Sequence, residues 1–149
     1  GRFEAALRHT EHVARDFAKQ TNDFGRMWNW SARACALAGL GRRDEARRVV
    51  AQMRPLAHAG TGALMRAHLC LGDMESAEAM MLSRLGSDNA DDAVIAFQNW
   101  EIGEMPTGPN AVVEAQLSEP RARPSIRAEL ERRGYVLDVP MTRTFWGAY

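Results

Sequence analysis

Two histidines at helical spacing are the pattern in this chain that comes nearest to a chemical site. His9 and His12 are three residues apart, with Glu11 between them, and one helix face would bring the two imidazoles together as a metal-binding pair. No further His or Cys follows at a spacing that would complete a set of ligands. The pair is explained more simply as part of the polar, solvent-exposed face of a helix, and we predict no metal site.

The other residues with chemical potential do not form a catalytic constellation. Asp91 and Asp92 suit the capped start of a helix, and Gly60-Thr-Gly62 is too short to cradle a phosphate. Glu75 and Glu78 fit a solvated acidic face. Since spacing assigns no nucleophile, base, phosphate loop or cofactor motif, we expect a protein that is not an enzyme and that uses no cofactor.

The two cysteines, Cys35 and Cys70, lie in predicted helices without metal-type spacing. This favours reduced, buried thiols over a disulfide and agrees with a cytoplasmic protein. No apolar run reaches the roughly 18 residues needed to span a bilayer, so no membrane association is expected.

Charge is balanced overall but segregated along the chain. The 149 residues carry 19 basic and 19 acidic side chains, and this lack of basic bias argues against nucleic-acid binding. Residues 1–66 carry +6, residues 67–119 carry −9 and residues 120–149 carry +3. Compensation within a curled chain is favoured, but the pattern could also guide head-to-tail self-association or steer a basic partner. The preference for Arg over Lys is attributed to the nucleotide composition of the genome.

Apolar residues recur at steps of three and four, which predicts helices along most of the chain. In the first part of the chain, the predicted helices cover residues 2–19, a segment around Trp30 that ends at Gly39 and Gly41, and Asp44 to Met53, which Pro55 follows. The next two cover Gly60 to Leu71 and a segment through Ala77 to Leu85. The last three cover Asp88 to Trp100, Asn110 to Leu117, and Pro124 to Gly134. Pro120 and Pro124 are expected to delimit a connector, and residues 135–149 are expected to be extended.

One turn-and-helix pattern is repeated. Gly41-Arg-Arg-Asp-Glu-Ala46 and Gly72-Asp-Met-Glu-Ser-Ala77 lie 31 residues apart, and Gly1-Arg-Phe-Glu-Ala-Ala6 precedes the first by 40. A repeat of this length with helical punctuation predicts stacked helical hairpins.

These units resemble tetratricopeptide repeats, in which an early aromatic, a small mid-helix residue, a glycine turn and a following alanine recur in order. Trp30, Ala34, Leu37, Gly41 and Ala46 match that order. The next unit keeps Leu64, Gly72 and Ala77, but it has Met65 at the small position and His68 where a larger apolar residue is common. The resemblance covers roughly residues 1–86.

A second resemblance lies further along the chain. Pro124, Ile126, Leu130 and Gly134 are similar to the closing helix after tetratricopeptide arrays in multidomain bacterial regulators and nucleotide cyclases. It implies the C-terminal, regulatory part of a longer bacterial protein, and the start at Gly1 within a repeat unit also suggests a fragment.

The tetratricopeptide resemblance implies protein or peptide binding on a concave face lined by the first helix of each hairpin. Trp28 is a candidate aromatic anchor for a partner, and Arg66 is a candidate for bidentate binding of a partner carboxylate. The alternatives are packing and surface solvation of these side chains. The pattern does not reproduce the family's Lys/Asn-rich carboxylate clamp. The candidate partner-binding residues on this face are Trp28, Ser31, Cys35, Arg66 and Leu69.

Three aromatic residues, Phe145, Trp146 and Tyr149, are concentrated at the end of the chain. Because exposed aromatic clusters are costly in water, we expect this tail to fold back onto the domain, with docking onto another copy as the alternative.

The sequence therefore predicts one all-α domain over residues 1–149, a short tetratricopeptide-like solenoid with a C-terminal helix and an extended aromatic tail. Its parts are the repeats at 1–86, a degenerate hairpin and closing helix at 87–134, and the tail at 135–149. The expected function is a protein- or peptide-binding scaffold. The alternatives are a self-association module and an accessory part of a helical enzyme.

Overall fold

The computed structural model of the chain describes residues 2–88, 90–101 and 109–142, and these residues are mostly helical. No helix in these ranges is both long and apolar enough to cross a bilayer. In chain order the elements are α1 (Phe3–Asp16), α2 (Asp23–Gly39), α3 (Arg43–Met53), a 3₁₀ segment (Arg54–Ala59), α4 (Thr61–Leu71), α5 (Met74–Leu85), α6 (Ala90–Ala96), β1 (Asn99–Glu101), α7 (Pro109–Ala122), α8 (Pro124–Arg133) and β2 (Asp138–Thr142).

Helices α1 and α2 form an antiparallel pair. The Asn22 side chain caps α2 by accepting a hydrogen bond from the Gly25 N–H at 2.8 Å. The Asn29 amide donates to the Thr10 carbonyl at 3.1 Å and so joins the two helices. At the other end of the pair, the Phe3 ring lies where a side chain at Gly39 would stand, so a larger residue there would require the ring to move.

The turns that follow α2 and α4 have the same geometry. Gly41 has φ +75° and Gly72 has φ +69°, a left-handed conformation that glycine adopts without steric cost. These are Schellman turns, which satisfy carbonyls at the helix ends. In each, the N–H after the glycine donates to the carbonyl five residues earlier, from Arg42 to Leu37 at 2.9 Å and from Asp73 to His68 at 3.0 Å.

Helices α2 and α4, which open the two hairpins, lie side by side and run parallel. Gly60, just before α4, touches the Met27 side chain near the start of α2, whereas Cys70 meets Cys35 near its end. Helix α2 also packs on α1 and α3, and α4 packs on α5 and α7. The first helices of successive hairpins are therefore in direct contact.

The apolar core of the described residues consists of two buried clusters that share α4. Leu64, Ala67 and Leu71 of α4 belong to the cluster formed with α1, α2 and α3. Met65 and Leu69 belong to the cluster formed mainly with α5, α6, α7 and α8. Helix α4 is thus the central helix of the domain.

Two predictions for the region after residue 88 are wrong. The helix expected to reach Trp100 ends at Ala96, and residues Asn99–Glu101 pair in parallel with β2. The Gln98 side chain supports this pairing, since its Oε1 accepts from the Leu137 N–H at 2.6 Å. The connector expected at Pro120 is also absent, because Pro120 is buried within the last part of α7. Proline there costs the helix one N–H donor, and its burial offsets that loss.

The start of α8 is joined to α5 by a polar contact. Glu78 accepts hydrogen bonds from the Ser125 hydroxyl and the Arg123 guanidinium. The Ser125 hydrogen bond, followed by the Arg123 contact, lowers the pKa of the Glu78 carboxyl below its ordinary value of 4.5.

We expect Ala46→Leu to lower the free energy of unfolding by about 1–3 kcal/mol, because Ala46 is fully buried at a contact between helices. Ala51→Leu, at an exposed position of the same helix, is the matched control and should leave stability nearly unchanged. Urea unfolding followed by circular dichroism measures both. Equal stability of the two variants would contradict close packing at Ala46.

The Glu78 contact predicts a pH dependence of stability. Because the folded pKa is lowered, the contribution of Glu78 is present above pH 4.5 and is lost as the pH falls through the folded pKa. Wild type should therefore lose more of its Tm between pH 6 and pH 3 than Glu78→Gln, with Glu75→Gln as an exposed control on the same helix. Parallel Tm curves for wild type and Glu78→Gln would rule out the contact.

Candidate functional site

The face predicted from the first helices is largely inside the protein. Ser31 and Leu69 have no exposed surface, and Cys35 is 3% exposed. Cys35 is covered by its contact with α4, and Leu69 belongs to the buried cluster formed mainly with α5, α6, α7 and α8. In this arrangement the three residues do not present side chains to a partner.

Trp28 and Arg66, the other two candidates on that face, are partly exposed. Trp28 packs against the first buried cluster and makes an edge-to-face contact with Phe24, with ring centroids 6.2 Å apart. Phe24 is 57% exposed, so this end of α2 offers aromatic surface to solvent. A partner-binding role for Trp28 and Arg66 stays a prediction.

The expectation of two reduced thiols is wrong, because Cys35 and Cys70 form a disulfide with their Cα atoms 5.1 Å apart. Their separation is 35 residues, which is one 31-residue repeat plus one helical turn. The two side chains meet because α2 and α4 lie side by side in parallel, with Cys35 and Cys70 both near their C-terminal ends. The spacing of 35 residues does not predict this pairing, which depends on how the two helices pack.

The disulfide also bears on the expected location. Structural disulfides persist mainly in oxidising compartments. The cytoplasmic prediction drew on reduced cysteines, so it loses that support and stays a prediction.

The other candidates from the sequence do not gather into a site. His9 and His12 are both exposed, and His12 Nδ1 contacts Asp16 Oδ2 at 2.7 Å. Among the described residues, no three His, Cys, Asp or Glu side chains are placed to hold a metal ion. The tail residues Phe145, Trp146 and Tyr149 lie outside the described residues.

A cleft of about 390 Å³ lies between α3 and the turn that joins α4 to α5. One wall is a single face of α3 and its continuation, where Arg43, Arg47 and Arg54 recur at steps of four and seven residues. We call this feature the arginine cleft. Its full lining is Arg43, Arg47, Val50, Ala51, Arg54, His68, Leu71, Gly72 and Asp73.

The carboxylate in the lining of the arginine cleft, Asp73, is already engaged. Its Oδ2 lies 2.9 Å from Nδ1 of the buried His68, and its Oδ1 accepts from the Ser76 N–H at 3.2 Å as the N-cap of α5. Partial burial opposes ionisation of Asp73, but the hydrogen bonds from Ser76 and His68 outweigh it and lower the pKa of the carboxyl. Asp73 is thus a charged helix cap whose oxygens both have partners.

The three guanidinium groups of the cleft are held to different degrees. Arg43 donates to the Leu71 carbonyl at the end of α4 and so connects the two walls. Arg47 pairs with Asp44 at 2.7 Å, with both side chains more than half exposed. Arg54 is exposed and makes no ion pair with any residue that the structure describes. The cleft therefore carries excess positive charge on groups that a ligand could reach.

Sequence reasoning missed this cleft. The arginine spacing on α3 was visible, but arginine on a helix is ordinarily a solvated residue. The opposite wall comes from the next hairpin, and its position depends on how the hairpins stack.

Comparisons of the chain with protein-family models, with curated proteins and with solved structures give no match.

The disulfide yields a direct prediction. Closing a loop of this length stabilises a fold by about 4 kcal/mol in the chain-entropy account. We expect the double variant Cys35→Ala/Cys70→Ala to lose about 2–4 kcal/mol of unfolding free energy, measured by urea denaturation. The matched control is wild type in reductant, which should lose a similar amount. Alkylation of both cysteines in unreduced, denatured wild type would show that no disulfide forms.

Proposed function

We propose that this chain is an interaction scaffold built from tetratricopeptide-like helical hairpins that binds a segment of another protein. The observation that supports this proposal is the repetition of one hairpin geometry: the glycine turns are equivalent, and the first helices run parallel in contact. In stacked repeats each unit packs mainly on its neighbours, which leaves an extended surface for a partner.

The surface proposed for binding is the partly exposed part of the first helices. Trp28 lies at the start of α2 beside the exposed Phe24 ring, and it combines apolar area with few rotatable bonds. Arg66 is the arginine of α4, and its carbonyl oxygen lies 4.0 Å from the Cys35 sulfur. Aromatic and arginine side chains supply many of the strong contacts in protein interfaces.

Self-association is the second candidate, and one observation favours it. The exposed acidic residues Glu75, Asp88 and Asp91 lie in α5, just after it and in α6, whereas the arginines of the cleft lie on α3 and its continuation. Segregation of opposite charges along the chain favours head-to-tail contact between copies. A regulatory role within a longer bacterial protein is part of the proposal.

Capture of partners from source-cell lysate on the immobilised chain tests the scaffold function. We expect one or more proteins to be retained by wild type and by the exposed control Arg8→Ala, and to be lost with Trp28→Ala or with Arg66→Ala. Mass spectrometry identifies the retained proteins, and circular dichroism confirms that each variant is folded. Recovery of the parent protein alone would replace the scaffold proposal with self-association, and no enrichment on any form would reject it.

A further inference from the structure

We propose that the arginine cleft is a binding site for an acidic, extended peptide segment. This inference deepens the proposed scaffold function by naming the chemical class of the partner. It concerns a surface made by α3 and the α4–α5 turn, and Trp28 and Arg66 do not belong to its lining.

The charge of the cleft is not neutralised from within. Arg43, Arg47 and Arg54 face a lining whose carboxylate, Asp73, is bound to His68 and to the first turn of α5. That arrangement leaves Asp73 with little capacity to pair with the arginines. An incoming carboxylate would meet guanidinium groups in a partly enclosed space, where charge-assisted hydrogen bonds are stronger than in open water.

The present partners of these arginines leave donors for a ligand. A guanidinium has five N–H donors, and Arg43 uses its bond to the Leu71 carbonyl to hold the side chain across one end of the cleft. The Arg47 pair with Asp44 is exposed, so solvent screens it and a ligand carboxylate can replace Asp44. Arg54 stands at the other end.

The spacing of the arginines suits an extended segment better than one compact anion. Helical rise separates Arg43 from Arg47 by about 6 Å along the axis, and Arg54 lies roughly 10 Å further. Carboxylates on alternate residues of an extended peptide are about 6.8 Å apart on one side. Two acidic residues at positions i and i+2 can therefore meet two successive arginines, whereas one phosphate cannot reach all three.

The apolar part of the lining favours a peptide over a nucleic acid. Ala51 is exposed in the lining, and Val50 and Leu71 beneath it belong to the buried cluster, so the floor between the arginines is aliphatic. An aliphatic side chain of the ligand can contact this floor, whereas a phosphate backbone would leave it uncovered. The zero net charge of the whole chain also argues against a nucleic acid as the ligand.

The test uses a fluorescein-labelled eight-residue peptide in which glutamate alternates with serine, apart from one central valine. Fluorescence anisotropy should show binding to the full chain that weakens as salt is raised. Arg47→Gln/Arg54→Gln should weaken binding about tenfold or more, since two charge-assisted contacts are lost. Arg48→Gln is the matched control, because Arg48 is exposed on the same helix outside the cleft lining, and it should stay within about twofold of wild type.

Three probes define the ligand class. The same peptide with glutamine for every glutamate should bind at least about tenfold more weakly. A single-stranded oligonucleotide of equal charge should bind more weakly than the acidic peptide. Inorganic phosphate at equal ionic strength should not displace the bound acidic peptide. Tighter binding of the oligonucleotide, or displacement by phosphate, would overturn the peptide assignment.

The remaining outcomes separate this inference from the scaffold proposal. No peptide binding up to about 1 mM, or equal binding by wild type and Arg47→Gln/Arg54→Gln, would overturn the cleft assignment even if lysate capture through Trp28 and Arg66 succeeds. Sedimentation of wild type that shows dimers lost with the same double variant would also overturn it, since the occupant would then be a second copy.

Discussion

Burial of helix α4 on both sides is the constraint on which the rest of the structure depends. Eight residues of its Thr61–Leu71 span are buried, and all of them except His68 divide between a cluster formed with the helices before it and one formed mainly with the helices after it. Alanines at 63 and 67 allow neighbouring helices to approach closely. The disulfide to α2 holds α4 covalently as well, so a displacement of α4 would disturb both clusters and the crosslink together.

The repeated glycine turns determine which residues lie next to one another at one end of the stacked hairpins. A left-handed glycine ends the first helix of each hairpin, and the two first helices run side by side, so the start of α3 lies beside the end of α4. Arg43 at the start of α3 can then bind the Leu71 carbonyl at the end of α4. The arginine cleft is a direct result of stacking two equivalent hairpins, and its basic character comes from residues that do not pack in the core.

Polar contacts have a larger part in the region after α5. Glu78 joins α5 to the start of α8, and Gln98 joins the segment after α6 to residues 135 and 137. Local sequence patterns predicted α8 well, since Pro124 fits the first turn of a helix and Gly134 follows its end. They did not predict β1, because a three-residue strand depends on its partner strand, which lies far along the chain.

The sequence by itself determined the helical class, most helix boundaries up to Leu85 and the two equivalent turns, because apolar periodicity and glycine at a left-handed position are local properties. It placed Ala46 and Ala77 in the core for the same reason. Only the tertiary structure decided that Ser31 and Leu69 are covered, that Cys35 meets Cys70, and that arginines of α3 face the end of α4. These outcomes depend on which helices become neighbours and in which direction they run, and helical periodicity carries no information about that arrangement.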